Sequence, residues 1–192
     1  MTTDPARRRQ RADARRNVDA LLEAARTVFD TSGVDAPAKE ITDLAGVGVG
    51  TLYRHFPQRA DLVKAVVEDG IDAVAEAGPE LSAAFGPVEA LRRWIDRFTD
   101  LLGMKRGLAT ALHSGDPAFA GLPGYFSERL GPVLSALLDA AAAKGEIRGD
   151  IGADDLLYAV AQLCRPVPGR GPEHNRRIVG VLVDGLSRGT GR

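Results

Sequence analysis

The sequence predicts an all-α protein. Apolar residues recur three and four positions apart along nearly all of its 192 residues, which is the spacing that places them on one face of a helix. Glycine and proline separate these stretches, as they do at helix ends. The sequence has no alternating run of useful length and no internal repeat, so it predicts neither a sheet nor a solenoid.

The first two predicted helices are separated by a glycine-containing break. Apolar residues at helical spacing predict a helix over residues 15–31, which Gly33 would end. Pro37 suits the first turn of a second, short helix, because a helix leaves that N–H group unpaired in any case. This second helix keeps one apolar face up to Gly46, where it is expected to end.

Two more helices are predicted before residue 80. Leu52 and Phe56 lie four positions apart and therefore on the same face of a short helix, which Pro57 ends because the residue before proline avoids the helical region. A longer helix is predicted from about Arg59 to Ala77, and the stretch Ala-Gly-Pro-Glu is expected to break it.

The C-terminal part of the chain is also helical in period. Asp154–Cys164 and Pro172–Leu186 are the last two predicted helices, and Gly145 is expected to end the helix before them. Pro172–Leu186 is apolar around more of its circumference than one neighbour needs, so we expect these two helices to form a homodimer. The earlier apolar stripes are Val88, Leu91, Ile95, Phe98 and Leu102, and Leu130, Val133, Leu134, Leu137, Leu138 and Ala141.

Composition is that of a globular protein of the cytoplasm. The longest run without Asp, Glu, Lys or Arg covers residues 117–127, well short of the roughly 18 apolar residues of a membrane helix. The basic N-terminus lacks the apolar segment of a secretory signal. Cys164 is the only cysteine, so no intrachain disulfide or cysteine-based metal site is expected. No cofactor is predicted.

The charge of the chain is divided unevenly. Residues 1–16 contain six arginines and two aspartates, a net charge of +4, so the rest of a chain with a total of −1 sums to −5. A basic segment on a mildly acidic body is common in proteins that bind nucleic acids. We expect residues 1–14 to be a disordered basic arm that contacts phosphates without sequence preference.

The three glycines Gly46, Gly48 and Gly50 allow two interpretations. A dinucleotide-binding loop needs a preceding strand and a third glycine at position 51, where this chain has Thr51 after a stretch of helical period. A helix-turn-helix needs glycine for the turn and a second helix that enters the major groove. The second interpretation accounts for more residues, including the polar and aromatic ones after Gly50.

The stretch AGVGVGTLYRHFPQRADL, residues 45–62, resembles the TetR-type bacterial transcriptional regulators. The resemblance implies a helix-turn-helix DNA-binding domain at 15–60 and an effector-binding and dimerisation domain at 61–192. It also implies an N-terminal three-helix helix-turn-helix head linked to a C-terminal helical bundle. Such a protein would be a repressor that binds a palindromic operator as a dimer and is released by a small-molecule effector.

Candidate DNA-binding residues follow from the motif and its match to the family. Thr51 and Arg54 suit contacts with base edges, and Tyr53 suits a phosphate contact. Arg59 matches a basic family position that touches phosphate. The full candidate set is Lys39, Gly50, Thr51, Tyr53, Arg54, His55 and Arg59.

A small, largely apolar effector is expected inside the C-terminal part, where aromatic residues concentrate. The candidate ligand-binding residues are Trp94, Phe98, His113 and Phe126. The alternative is an all-α ligand-binding or enzymatic bundle without DNA binding. The sequence has no nucleophile motif or Cys-His set that would favour an enzyme, and none of its histidines lies in a metal-binding motif.

Overall fold

The computed structural model describes residues 5–103, 115–165 and 167–187. Over these residues the only β pairing is an isolated antiparallel bridge between Ile147 and Ser187, so the predicted all-α class is confirmed. The helices are α1 (Pro5–Ser32), α2 (Ala38–Ala45), α3 (Val49–His55), α4 (Arg59–Ala84), α5 (Pro87–Leu102), a 3-10 turn (Pro117–Phe119), α6 (Leu122–Ala143), α7 (Ala153–Leu163) and α8 (Pro172–Asp184).

The chain divides into two compact units. The first holds the described residues up to Asp69 together with 115–120. The second holds Gly70–Gly103 and the described residues from Gly121 onward, so that α4 contributes to both units. The predicted head at 15–60 lies within the first unit.

The first unit is built on two contacts between its first three helices. Helix α1 packs on α2, and α2 packs on α3. The apolar residues that recur at helical spacing in the sequence are the ones buried at these contacts. Their burial removes apolar surface from water and stabilises the unit. The buried residues of these helices and of the start of α4 include Leu21, Ala25, Phe29, Ile41, Leu52, Phe56 and Leu62.

Helix α1 begins ten residues earlier than predicted. It starts at Pro5 instead of about residue 15, so residues 5–14 of the expected disordered arm are helical here. Apolar periodicity begins only at Val18, but the preceding stretch is rich in arginine and alanine, which both favour helix, and Pro5 suits a first turn. Residues 1–4 lie outside the described part of the chain. Contacts between this segment and phosphates stay a prediction.

Helix α4 continues through the stretch that was expected to break it. It runs to Ala84 with Pro79 inside, although an interior proline typically costs about 3 kcal/mol. Tertiary packing within the second unit offsets this loss, because Leu81 is buried and a Cβ at Gly78 would collide with the Val133 side chain. These packing contacts therefore allow α4 to continue past Pro79, where the local sequence predicts that it ends.

The second unit is a bundle in which α5 packs on α6, α7 and α8. Helix α6 ends in a Schellman motif: the N–H of Gly145 donates to Ala142 (2.8 Å) and that of Glu146 to Ala141 (3.2 Å). Gly145 has φ 71°, which confirms the prediction that this glycine ends the helix. The buried residues include Trp94, Phe98, Leu130, Leu134, Leu156, Val160, Val179 and Val183.

Within residues 5–103, 115–165 and 167–187, no helix combines the length and apolar character needed to cross a bilayer. No group of three or more His, Cys, Asp or Glu side chains is arranged there to hold a metal ion.

Burial raises the pKa of the Cys164 thiol to about 11, so the thiol is protonated and a poor nucleophile at neutral pH.

Candidate nucleic-acid interface

Gly46 makes the turn between α2 and α3. Its φ of 67° is left-handed, and the Schellman pair of hydrogen bonds joins Gly46 N to Asp43 O (3.4 Å) and Val47 N to Thr42 O (3.1 Å). Gly48 has ordinary φ and ψ of −75° and 149° at the start of α3. The glycine segment from Gly46 to Gly50 is therefore preceded by a helix and not by a strand. This excludes a dinucleotide-binding loop, which needs a strand before it, and gives the geometry of a helix-turn-helix.

The two glycines give a matched pair for testing the turn. Neither position has any heavy atom within 4 Å of an added Cβ, so backbone conformation alone distinguishes them. We expect Gly46→Ala to lower the free energy of unfolding by about 1–2 kcal/mol, because an L-residue is strained in the left-handed region. Gly48→Ser should change it by only a few tenths of a kcal/mol. Urea denaturation followed by circular dichroism measures both, and equal values would contradict this account of the turn.

Helix α3 has one buried and one exposed side. Leu52 and Phe56, the residue that ends the helix, are buried, as their spacing predicts, and they fix the rotation of α3 about its axis. Tyr53 is 52% exposed and Arg54 is also exposed, while His55 is half-buried. Among the described residues, none forms a hydrogen bond or ion pair with the Arg54 guanidinium. The exposed side of α3 therefore presents a phenol and a free cation.

The remaining candidates on α2 and α3 differ in their exposure. Thr51 is half-buried and Gly50 is exposed, with open space where a side chain would be. Lys39 is exposed on α2, where its ammonium pairs with Asp43 one turn later (2.6 Å). An exposed pair of this kind is weak, so the lysine remains able to exchange its partner for a phosphate.

Arg59 differs from the other candidates because its side chain is partly buried. Its Nε donates to the Val34 carbonyl (2.6 Å) and its Nη2 to the Ala36 carbonyl (2.7 Å). The guanidinium also lies over the Phe29 ring, 5.0 Å from the ring centroid. Burial lowers the pKa of Arg59, against the opposing charge of Asp35. These contacts engage Arg59 inside the first unit, whereas its match to the family motif predicts a phosphate contact.

The start of α4 has a cap that the sequence analysis did not identify. The Asp61 carboxylate accepts a hydrogen bond from the backbone N–H of Gln58 (2.9 Å), which is one half of a capping box. An acidic residue three positions after the N-cap was the available signal. The bond fixes where α4 begins, and therefore where Arg59 lies relative to α1.

The four candidate ligand-binding residues have different positions. Trp94 and Phe98 are fully buried, with ring centroids 5.8 Å apart, and the indole N–H donates to the Val74 carbonyl (2.9 Å). Phe126 is half-buried, and its ring centroid is 5.4 Å from that of Phe98. His113 lies outside the described residues. The structure thus brings three of the four together in an aromatic cluster of the second unit.

Comparison with protein-family models gives two matches. Residues 21–66 match the model of bacterial regulatory proteins of the tetR family. Residues 86–188 match the model described as the C-terminal domain of SbtR-like transcriptional regulators. The two matches include most of the chain, and the second alone covers more than half of it. The protein belongs to the TetR family. It is therefore a transcriptional regulator with a DNA-binding helix-turn-helix, and TetR-family regulators are not enzymes.

Solved structures of TetR-family proteins agree with this membership over nearly the full chain. A TetR transcriptional regulator of Streptomyces coelicolor is 37% identical, with a TM-score of 0.72, and the match covers 88% of this chain and 98% of that one. A TetR regulatory protein of Mycobacterium vanbaalenii is 34% identical, with a TM-score of 0.70 and coverage of 93% and 99%. The similarity therefore includes both units of this TetR-family protein.

Curated relatives match about a third of the chain. An HTH-type transcriptional regulator of Staphylococcus aureus is 38% identical over 63 residues, which is 32% of this chain. The matched part is about a third (34%) of the length of that relative. The chain thus matches about a third of the length of this curated relative.

Proposed function

We propose that this TetR-family regulator is a ligand-responsive repressor that binds a palindromic operator as a homodimer and is released by a small-molecule effector. One observation carries the DNA-binding part of the proposal. The Gly46 turn and the buried Leu52 and Phe56 hold α3 so that Tyr53 and Arg54 are exposed, and no described residue forms a hydrogen bond or ion pair with either side chain. Arginine in a major groove can bond guanine in a bidentate manner, and a tyrosine hydroxyl can bond phosphate.

The homodimer is supported by large apolar side chains that remain exposed on α7 and α8. Tyr158 on α7 is 68% exposed, and Val181 on α8 is 69% exposed. Ile178 precedes Val181 by three positions, which puts it on the same face, and it is 37% exposed. A second copy of the chain would bury these groups, and two recognition helices would then read two half-sites related by symmetry.

Effector binding is supported by family membership and by the aromatic cluster of the second unit. Trp94 and Phe98 are packed core residues, whereas Phe126 retains access to solvent. We propose that a small, largely apolar molecule binds beside Phe126 and lowers operator affinity. A coupling free energy of about 3 kcal/mol would weaken the operator complex about 150-fold.

The DNA-binding proposal is tested with the intergenic DNA next to the protein's own gene. We expect a saturable complex in fluorescence anisotropy and a symmetric footprint with half-sites about one helical turn apart. Arg54→Ala should weaken binding by about 1–3 kcal/mol and relax discrimination at particular base pairs, because we propose that its exposed guanidinium contacts base edges. Competition with single-base operator variants measures this loss.

Arg93→Ala provides a matched control for Arg54→Ala. Arg93 is an exposed arginine in the second unit, paired with Glu89 and stacked over the Phe85 ring, so its removal should leave operator affinity unchanged. Equal losses in the two variants would show a general effect of positive charge and contradict the role of Arg54. If the wild-type protein binds no DNA, the chain is better described as a ligand-binding bundle without DNA binding.

A further inference from the structure

We infer that Arg59 is a positioning residue of the DNA-binding head: it holds the loop between α1 and α2 against the start of α4, so that its main role is not phosphate contact. The inference rests on the proposed DNA-binding function and concerns the geometry of the same interface. All the residues that carry it belong to the first unit.

The contacts of Arg59 join three segments of the first unit. The residue is the first of α4, and its Nε and Nη2 donate to the carbonyls of Val34 and Ala36 in the loop after α1. Its guanidinium covers the Phe29 ring near the end of α1. An arginine can donate in these two directions and stack on a ring at the same time because its guanidinium is planar and has several fixed N–H groups.

The loop that Arg59 holds has few other ways to satisfy its backbone. Val34 and Ala36 are both buried, yet neither residue belongs to a helix that would provide a partner for its carbonyl oxygen. Buried carbonyl oxygens without a hydrogen-bond donor destabilise a fold. A lysine at position 59 would offer one compact ammonium group, which cannot reproduce two separated bonds and a stacked plane.

This loop determines where the helix-turn-helix begins. Pro37 directly follows Ala36 and precedes the first residue of α2, and α2 packs on both α1 and α3. A shift of the loop would therefore move α2, and with it the exposed side of α3. Operator binding selects the arrangement in which α3 fits the groove, so an untethered loop reduces the fraction of protein that is ready to bind.

Arg59→Lys separates positioning from phosphate contact, because lysine keeps the charge and loses the two fixed bonds. We expect Arg59→Lys and Arg59→Ala both to lower the melting temperature by about 4 °C or more. Both should weaken operator binding about tenfold, as when the competent arrangement falls to about a tenth of the population. The slope of log Kd against log salt concentration should stay at the wild-type value in both variants, since no phosphate contact is lost.

Arg54→Ala is the comparison variant for these measurements. Arg54 is exposed, so its removal should leave the melting temperature unchanged; any phosphate contact that it makes would appear as a change in salt slope of about 0.9 per contact. Titrations at several salt concentrations and thermal melts followed by circular dichroism provide every readout. If Arg59→Ala fails to fold, Arg59→Lys carries the test.

The inference is overturned if Arg59→Lys binds and melts like the wild type while Arg59→Ala lowers the salt slope by about 0.9 for each subunit, because charge alone would then suffice. A wild-type protein that binds no DNA would instead remove the proposed function. In that case the melting temperatures still decide whether Arg59 holds the loop: a loss in both variants supports the tether, and unchanged values exclude it.

Discussion

Val181→Asp is expected to convert the proposed homodimer into a monomer and to weaken operator binding about 100-fold or more. Val181 is 69% exposed on α8, so the aspartate would be solvated in the free chain and should not disturb its folding. In a dimer the same carboxylate would be buried against an apolar partner surface, where an unpaired charge is strongly unfavourable. Loss of the second half-site contact removes the gain from linking two binding modules, which is about 100-fold to 10,000-fold.

Multi-angle light scattering measures the mass, and fluorescence anisotropy measures operator affinity. Ala136→Asp is the control, because it adds the same charge at an exposed position on a different helix, α6. That variant should remain a dimer. Leu182 is a poorer choice for this test, since it is half-buried and its replacement would also perturb the fold. A Val181→Asp protein with an unchanged dimer mass would contradict the assignment of this interface.

Trp94→Ala is expected to lower the free energy of unfolding by about 3–5 kcal/mol. Trp94 is 0% exposed, its indole N–H donates to the Val74 carbonyl, and its ring packs beside Phe98. Removing the ring leaves a cavity in a core that cannot fully collapse, and it removes the donor to Val74 as well. Urea denaturation followed by far-ultraviolet circular dichroism measures the loss.

Trp94→Phe separates the ring from its hydrogen bond. This variant keeps most of the buried apolar area and should lose only about 1–2 kcal/mol, chiefly through the missing indole donor. Trp94 is the only tryptophan of the chain, so wild-type emission should be blue-shifted in the folded state and report directly on this core position. A Trp94→Ala protein within about 1 kcal/mol of wild type would contradict a core role for Trp94.

The family could be predicted from the sequence because its signal is local. The motif from Ala45 to Leu62 contains Gly46, which suits a turn in the left-handed region. It also has two apolar residues at helical spacing, Leu52 and Phe56, with polar residues on the opposite side of the helix. Gly46 at φ 67° and the buried Leu52 and Phe56 bear out this pattern. Such features depend on residues within one or two turns of each other, so their spacing alone carries the information.

Helix ends were predicted less well where local preference and packing disagree. The interior Pro79 predicts a break, but α4 continues because Leu81 is buried and Gly78 approaches Val133, a residue 55 positions later in the chain. The early start of α1 was not predicted for a different reason. Its first turns are helical because their residues favour helix, but they have no apolar face and therefore show no apolar periodicity in the sequence.

The sequence by itself determined the all-α class, the helix-turn-helix and the side of α3 that faces outward, because each follows from residue type and spacing along one segment. Only the tertiary structure decided which charged and aromatic residues are available to a partner. Arg54 and Arg59 are both arginines five positions apart, yet one is exposed and the other donates to carbonyls more than 20 residues away. Trp94 and Phe126 are both aromatic, yet only Phe126 retains solvent access. The burial of a side chain depends on which distant parts of the chain pack against it, and the spacing of residues within one segment does not predict those contacts.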